Sequence, residues 1–135
     1  MIHQILQIVR KGIIGDSTVF SYTGSRIYPE HLATVKNPEY PCITLYFKGG
    51  ESPGCIKENA KDNVYIKVCS DKSYRECYEI YDPIYMNILH NKRLSDGNYH
   101  IICREIMRPR PYIDKKCEPV IYFIEVHYEV FSQRR

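Results

Sequence analysis

The sequence predicts an α+β fold: an antiparallel-rich mixed sheet of about four to five strands, packed on one side by an N-terminal helix and a larger central helix. Three observations predict it. Apolar residues recur at three- and four-residue intervals from Ile2 to about Ile14 and again from Tyr74 to Leu89, the spacing of one helical face. They alternate along Val64 to Cys69 and Val120 to Phe131, the period of a strand with one buried side. The order of segments, strand, strand, helix, strand, strand after an initial helix, suits antiparallel pairing beneath helices.

In the first helix, Ile2, Ile5, Leu6, Val9 and Ile13 share a face, and Gly12 or Gly15 is placed to close it. Asp16 to Tyr22 reads as a short strand or an extended connection. Arg26-Ile27-Tyr28-Pro29 is a brief extended piece stopped by proline, and the chain through Pro38 and Pro41 is a loop. Cys42 to Phe47 is β-branched and aromatic between Pro41 and the Gly49-Gly50 pair, which predicts a strand. A flexible loop over about 48–62 follows from Gly49, Gly50, Pro53 and Gly54 among charges. Val64, Ile66 and Val68 then give the second strand.

Ser73 and Glu76 have capping-box spacing and open the central helix, whose stripe of Tyr74, Cys77, Tyr78, Tyr81, Ile84, Tyr85, Ile88 and Leu89 continues to about Asn91. Pro83 either kinks this helix or starts a new one. Ser95 to Asn98 is a turn and Tyr99 to Met107 a strand. Arg108-Pro109-Arg110-Pro111 must be extended or looped, and a second flexible segment spans about 108–118. In the longest strand, Val120, Tyr122, Ile124, Val126, Tyr128 and Val130 share one face. Ile121, Phe123, Glu125, His127, Glu129 and Phe131 form the other, a face suited to solvent or another subunit.

At 135 residues the chain fits one domain, 1–135. Apolar residues at 44% and charged residues at 26% are those of an ordinary globular protein, which excludes disordered and collagen-like classes. No apolar run approaches the ~18 residues of a membrane span, so no membrane is expected as a partner. Met1-Ile2-His3-Gln4 lacks a basic region followed by an unbroken apolar core, which predicts a chain that is not exported. Cys42, Cys55, Cys69, Cys77, Cys103 and Cys117 are widely spaced, and buried free thiols are the expectation. The net charge of +3 is modest and interleaved, so bulk charge does not imply nucleic acid. Thirteen tyrosines with no tryptophan suit half-buried sheet faces and subunit interfaces.

The search for chemistry is mostly negative. The phosphate-loop pattern G-x-x-x-x-G-K-S/T, the dinucleotide pattern G-x-G-x-x-G, the hydrolase pattern G-x-S-x-G and the zinc pattern H-E-x-x-H are all absent. No C-x-x-C pair exists, and no catalytic, cofactor or metal residue is expected. Glu125, His127 and Glu129 share one strand face, an arrangement that a solvated or interfacial face also needs. Asp62, Asp71, Glu76 and Lys67 are the available residues for a small metal-dependent nuclease, but their spacing is poor. A nucleic-acid-binding module would use Arg104, Arg108, Arg110 and the neighbouring Tyr112.

The order of several local patterns resembles a family of tail-terminator, or tail-completion, proteins of long-tailed bacteriophages. Arg26-Ile27-Tyr28-Pro29, then Pro38-Glu39-Tyr40-Pro41 leading into Ile43-Thr44-Leu45-Tyr46, is similar to that family's signals before its first main strand. The Gly/Pro loop, the strand Val64 to Cys69, the helix entry Ser70-Asp71-Lys72-Ser73-Tyr74 and the final aromatic strand Tyr122 to Tyr128 continue the resemblance over nearly the whole chain. Pro83, the Arg-Pro repeat and the many cysteines and tyrosines depart from it and leave a head–tail connector or stopper role open. The resemblance implies a virion protein and no enzyme: a ring of identical subunits, typically a hexamer, that caps the tail tube, joins the head-completion proteins of the neck and lets DNA pass through. Such a ring needs a rigid sheet, exposed edges and loops that order against neighbours. Lys48, Glu51, Lys57, Glu58, Lys61, Arg108, Arg110 and Tyr112 are the expected subunit or tube contacts.

Overall fold

A computed structural model of the chain describes residues 2–29, 34–47, 59–90, 92–116 and 120–134. Helix α1 (Ile2–Ile14) turns Ile5, Leu6, Ile8, Val9 and Ile13 into the core, as their spacing requires. Gly12 lies inside it. A Cβ there would stand 3.2 Å from Ile88 Cγ2 and 3.3 Å from Leu94 Cδ1, so the bare glycine lets α1 approach the segments that carry those residues.

Asp16 to Tyr22, for which the sequence predicts a strand or extended connection, instead leads into helix α2 (Ser17–Thr23). Its cap decides the outcome. The Asp16 carboxylate accepts from Thr18 N and Val19 N, both at 3.0 Å, satisfying donors that no earlier turn can pair. Val19 and Thr23, four residues apart, are buried. Gly24 ends the helix at φ +55°, a region glycine enters without steric cost. Two arginines then fasten the returning chain. Arg10 Nε donates to Ile27 O at 2.7 Å, and Arg26 donates to Pro41 O and Tyr22 O, each at 3.0 Å. They hold β1 (Ile27–Tyr28) beside β2 (Cys42–Phe47).

The sheet has six strands in the order β1-β2-β3-β6-β5-β4, slightly more than the sequence predicts. β1 is parallel to β2, and the remaining pairings are antiparallel. β3 (Asn59–Ser70), β5 (Tyr99–Asp114) and β6 (Ile121–Arg134) are long, whereas β4 (Arg93–Ser95) is a short border. Parts of both predicted loops are strand, while 48–58 and 117–118 lie outside the described residues. Asn59 to Asp62 belong to β3, where they pair with residues 133 to 130 of β6. Arg108 to Asp114 belong to β5 rather than to a flexible segment. Among the described residues, β4 reaches only His100 to Ile102 of β5, so Pro109 and Pro111 sit in a border stretch where a missing N–H is tolerated. Register shifts between Glu105 and Met107, and between Met107 and Arg110, bulge the strand there.

Helix α3 (Tyr74–Pro83) starts at Ser73, whose Oγ accepts from Glu76 N at 3.2 Å. Only half of the expected box forms, because the Glu76 carboxylate accepts from Ser70 Oγ at 2.7 Å instead. At Pro83 the α-helical hydrogen bonding ends and wider turns follow. A π-helix (Ile84–Leu89) continues it, with His90 N–H bonded to Tyr85 O five residues back.

The helices lie on one face of the sheet. There α1, α3 and the π-helix enclose a core with Ile43, Leu45, Val64, Ile66, Val68, Ile101, Ile124, Val126 and Val130. Inside it the Tyr128 hydroxyl donates to Tyr81 Oη at 2.5 Å, and the Tyr81 hydroxyl donates to the Glu105 carboxylate. Arg108 also pairs with Glu105, at 3.2 Å, and its guanidinium lies over the Tyr85 ring. Cys42, Cys69, Cys77 and Cys103 are buried free thiols, as the sequence predicts.

Candidate protein interface

Apart from the Tyr40 segment at the β1–β2 end, no element of the described residues lies over the opposite face of the sheet. Strand alternation and register decide what that face carries. Thr44 and Tyr46 of β2 stand beside Lys67 and Tyr65 of β3, and these stand beside Glu125 and His127 of β6. β5 adds Ile102, Arg104, Met107, Arg110 and Tyr112 next to Phe131, Glu129, His127, Glu125 and Phe123.

At the centre, Tyr46, Tyr65 and His127 form a row of stacked rings, with centroids 5.8 and 4.5 Å apart and planes within 14° and 9°. The Tyr46 hydroxyl donates to the Glu125 carboxylate. Burial, and then that carboxylate, push the Tyr46 hydroxyl's pKa above its ordinary value. His127 Nε2 lies 3.0 Å from Asn63 Oδ1 and donates to it. Burial pulls the His127 pKa below the usual imidazole value, outweighing the upward pull of Glu129 and Glu125. On one side of this row, Glu129 accepts from Lys61 at 2.9 Å and Arg104 at 2.7 Å. The Lys61 bond leads in holding the Glu129 carboxyl below its ordinary range, against the effect of burial. On the other side, Lys67 Nζ stands 3.9 Å from the Phe123 ring centre, and Tyr112 stacks on Phe123 at 5.2 Å.

Two hollows mark the face. An open groove of about 430 Å³ is lined by Lys61, Arg93, His100, Ile102 and Phe131 with Ser132 and Gln133. A smaller one of about 130 Å³ lies among Tyr65, Met107, Arg110, Tyr112, Glu125 and His127. Phe131, Ile102, Tyr112 and Met107 remain 42%, 39%, 39% and 37% exposed. Exposed aromatic, Met and Arg side chains gathered on one surface are the composition of a protein-binding patch.

Of the residues expected from the sequence to make contacts, Lys61, Arg110 and Tyr112 lie on this face, Lys61 beside Phe131 at one end and Arg110 and Tyr112 beside Glu125 and Phe123 toward the other. Arg108 does not: it faces Glu105 and Tyr85 on the helix side. Lys48, Glu51, Lys57 and Glu58 lie outside the described residues. The nuclease set does not converge. Asp62 and Asp71 are separated by the length of β3, about 30 Å at the usual strand rise. Lys67 is on the uncovered face, while Glu76 lies in the first turn of α3. Glu125, His127 and Glu129 do share the face, with partners of their own. Among the described residues, no group of three or more His, Cys, Asp or Glu side chains is arranged to hold a metal ion, and no helix is long and apolar enough to cross a membrane. The second face of β6 was legible as alternation. Its neighbours Tyr46, Tyr65, Ile102 and Arg104 were not, because only register brings them there.

Architecture and uncovered face together define an α+β domain built on a mixed sheet with helices on a single side. No protein-family model matches the sequence, and no curated protein is similar to it. Among solved structures, the fold is similar to that of a chain in the virion of a native gene transfer agent particle, with a TM-score of 0.72 at 12% identity. The likeness covers 96% of this chain and 94% of that one, so the two share a fold over nearly their whole lengths.

Proposed function

We propose that this chain is a structural protein of a phage-type virion and acts as its tail terminator. Copies of it form a ring, a hexamer on this reading, that caps the tail tube and presents a surface to the head-completion proteins. The observation that carries the reading is the whole-length fold likeness to a virion chain. The uncovered sheet face supports it, because a subunit that works by assembly needs a surface whose apolar side chains are covered only on association. The order of sequence signals shared with tail-completion proteins supplies the finer position at the tail end.

Native mass spectrometry of the purified protein, followed by electron microscopy of the protein mixed with tail tubes, tests this. The expected result is a closed ring that decorates tube ends. A strictly monomeric protein that also leaves the tubes bare overturns the reading. A ring that binds head-side components and ignores tubes moves the assignment to a connector or stopper of the neck.

A further inference from the structure

We propose that Cys42 and Cys69 are a modification site: an oxidisable cross-strand pair that a peroxide or a small disulfide closes into a Cys42–Cys69 disulfide. The two residues are directly opposed in the antiparallel β2–β3 ladder. Opposed residues there have Cα atoms about 4.5–5.5 Å apart, within the ~4.4–6.8 Å that a disulfide spans. Both side chains point to the same face, since Ile43 and Val68 beside them enter the main core on the other. The two thiols are neighbours in one small buried cluster, so register and burial together bring them within reach of each other.

Surroundings distinguish this pair from the other buried thiols. Cys77 and Cys103 belong to the main core beneath the helices, and burial pushes each thiol up to about 12. Cys42 and Cys69 instead form a small separate cluster with Ile121, covered by Tyr28, Tyr40 and Phe123. Side chains of a sheet end form that cover, so a local opening far short of unfolding admits a small oxidant. The neighbouring Cys69, and then the Arg26 and Lys67 cations, lower the Cys42 thiol against burial. Arg26, whose guanidinium donates to the carbonyl of the preceding residue Pro41 at 3.0 Å, favours a thiolate at Cys42 and makes it the attacking sulfur.

With hydrogen peroxide the Cys42 thiolate attacks one peroxide oxygen, the O–O bond breaks, and hydroxide leaves with the electron pair. Cys42 is then a sulfenic acid. The Cys69 sulfur attacks the Cys42 sulfur, the S–O bond breaks, and the released hydroxide takes up the Cys69 proton as water. Two thiols lose two electrons in total, and one peroxide becomes two waters. The product links β2 to β3 covalently, and a thiol reductant reverses it. No partner chain is required.

The test treats the folded, fully reduced protein with hydrogen peroxide and follows intact mass and non-reducing peptide maps. Expected are the loss of two hydrogens, its reversal by dithiothreitol, and one linked peptide joining Cys42 to Cys69. Cys77→Ser and Cys103→Ser retain that loss, whereas Cys69→Ser halts at a Cys42 sulfenic acid that dimedone traps. An unchanged thiol count after treatment, or a linkage through Cys55, Cys77, Cys103 or Cys117, overturns the proposal. Both outcomes are read on the unmodified sequence, so a variant that fails to fold leaves the test intact.

Discussion

Replacing Tyr81 by Phe removes one oxygen from the buried Tyr128–Tyr81–Glu105 hydrogen-bond chain. Tyr81 is 2% exposed, and its hydroxyl both donates to Glu105 and accepts from Tyr128. The substitution keeps the ring and its packing, so the effect isolates the hydrogen bonds. Glu105, whose side chain is 5% exposed, keeps only Arg108, and the Tyr128 hydroxyl loses its acceptor. A hydrogen bond to a charged group contributes about 1.5–3 kcal/mol and a neutral one about 1. The expected loss is therefore about 3 kcal/mol. With a urea slope of about 2 kcal/mol per molar, the unfolding midpoint falls by about 1.5 M while the slope stays constant. Equilibrium urea denaturation followed by circular dichroism measures it. The double variant with Glu105→Gln supplies the coupling, expected at about 1–2 kcal/mol. A loss below about 1 kcal/mol, or strict additivity with Glu105→Gln, would refute the network as a stabilising unit.

Asp16→Ala removes the cap of α2 and lowers stability by about 1 kcal/mol, while Asp16→Asn keeps most of it, as thermal unfolding of the three proteins will report. Burial disfavours the charged form of His127, so as pH falls below about 6.5 the unfolded chain gains a proton that the folded one resists taking up. Its contribution is present above that pH and fades as the solution is acidified toward the lower folded value. His127→Gln flattens the slope of stability between pH 5 and 7, measured by urea midpoints across that range. Phe131→Glu places a charge on the exposed apolar floor of the larger groove. It weakens self-association tenfold or more, about 1.4 kcal/mol, by sedimentation equilibrium, with the unfolding temperature little changed.

Much of the fold is written in local pattern. α1, β2, the centre of β3, α3 and β6 follow from periodicities of 3.6 and 2, because each buries one side against a neighbour. α2 was hidden because Val19, Phe20 and Tyr22 favour strands, and the competing signal, the Asp16 cap, is a single residue. β5 beyond Met107 was hidden because proline argues against a strand except at a border, and border position is a property of sheet order. The π-helix after Pro83 has no composition of its own. For the uncovered face, the alternation of Phe123, Glu125, His127, Glu129 and Phe131 was visible. What they stand beside depends on β6 lying between β3 and β5, an arrangement that no segment specifies alone.

Pro109 and Pro111 leave the outer margin of β5 without two of the amide hydrogens that a newly arriving strand would need. Backbone zippering along that margin is thereby discouraged, and copies that meet must recognise each other by side-chain shape and charge. Unblocked ribbons recruit further ribbons without limit, and this stretch of β5 resists that mode of growth. Two imino acids thus guard one margin of the sheet against strand addition.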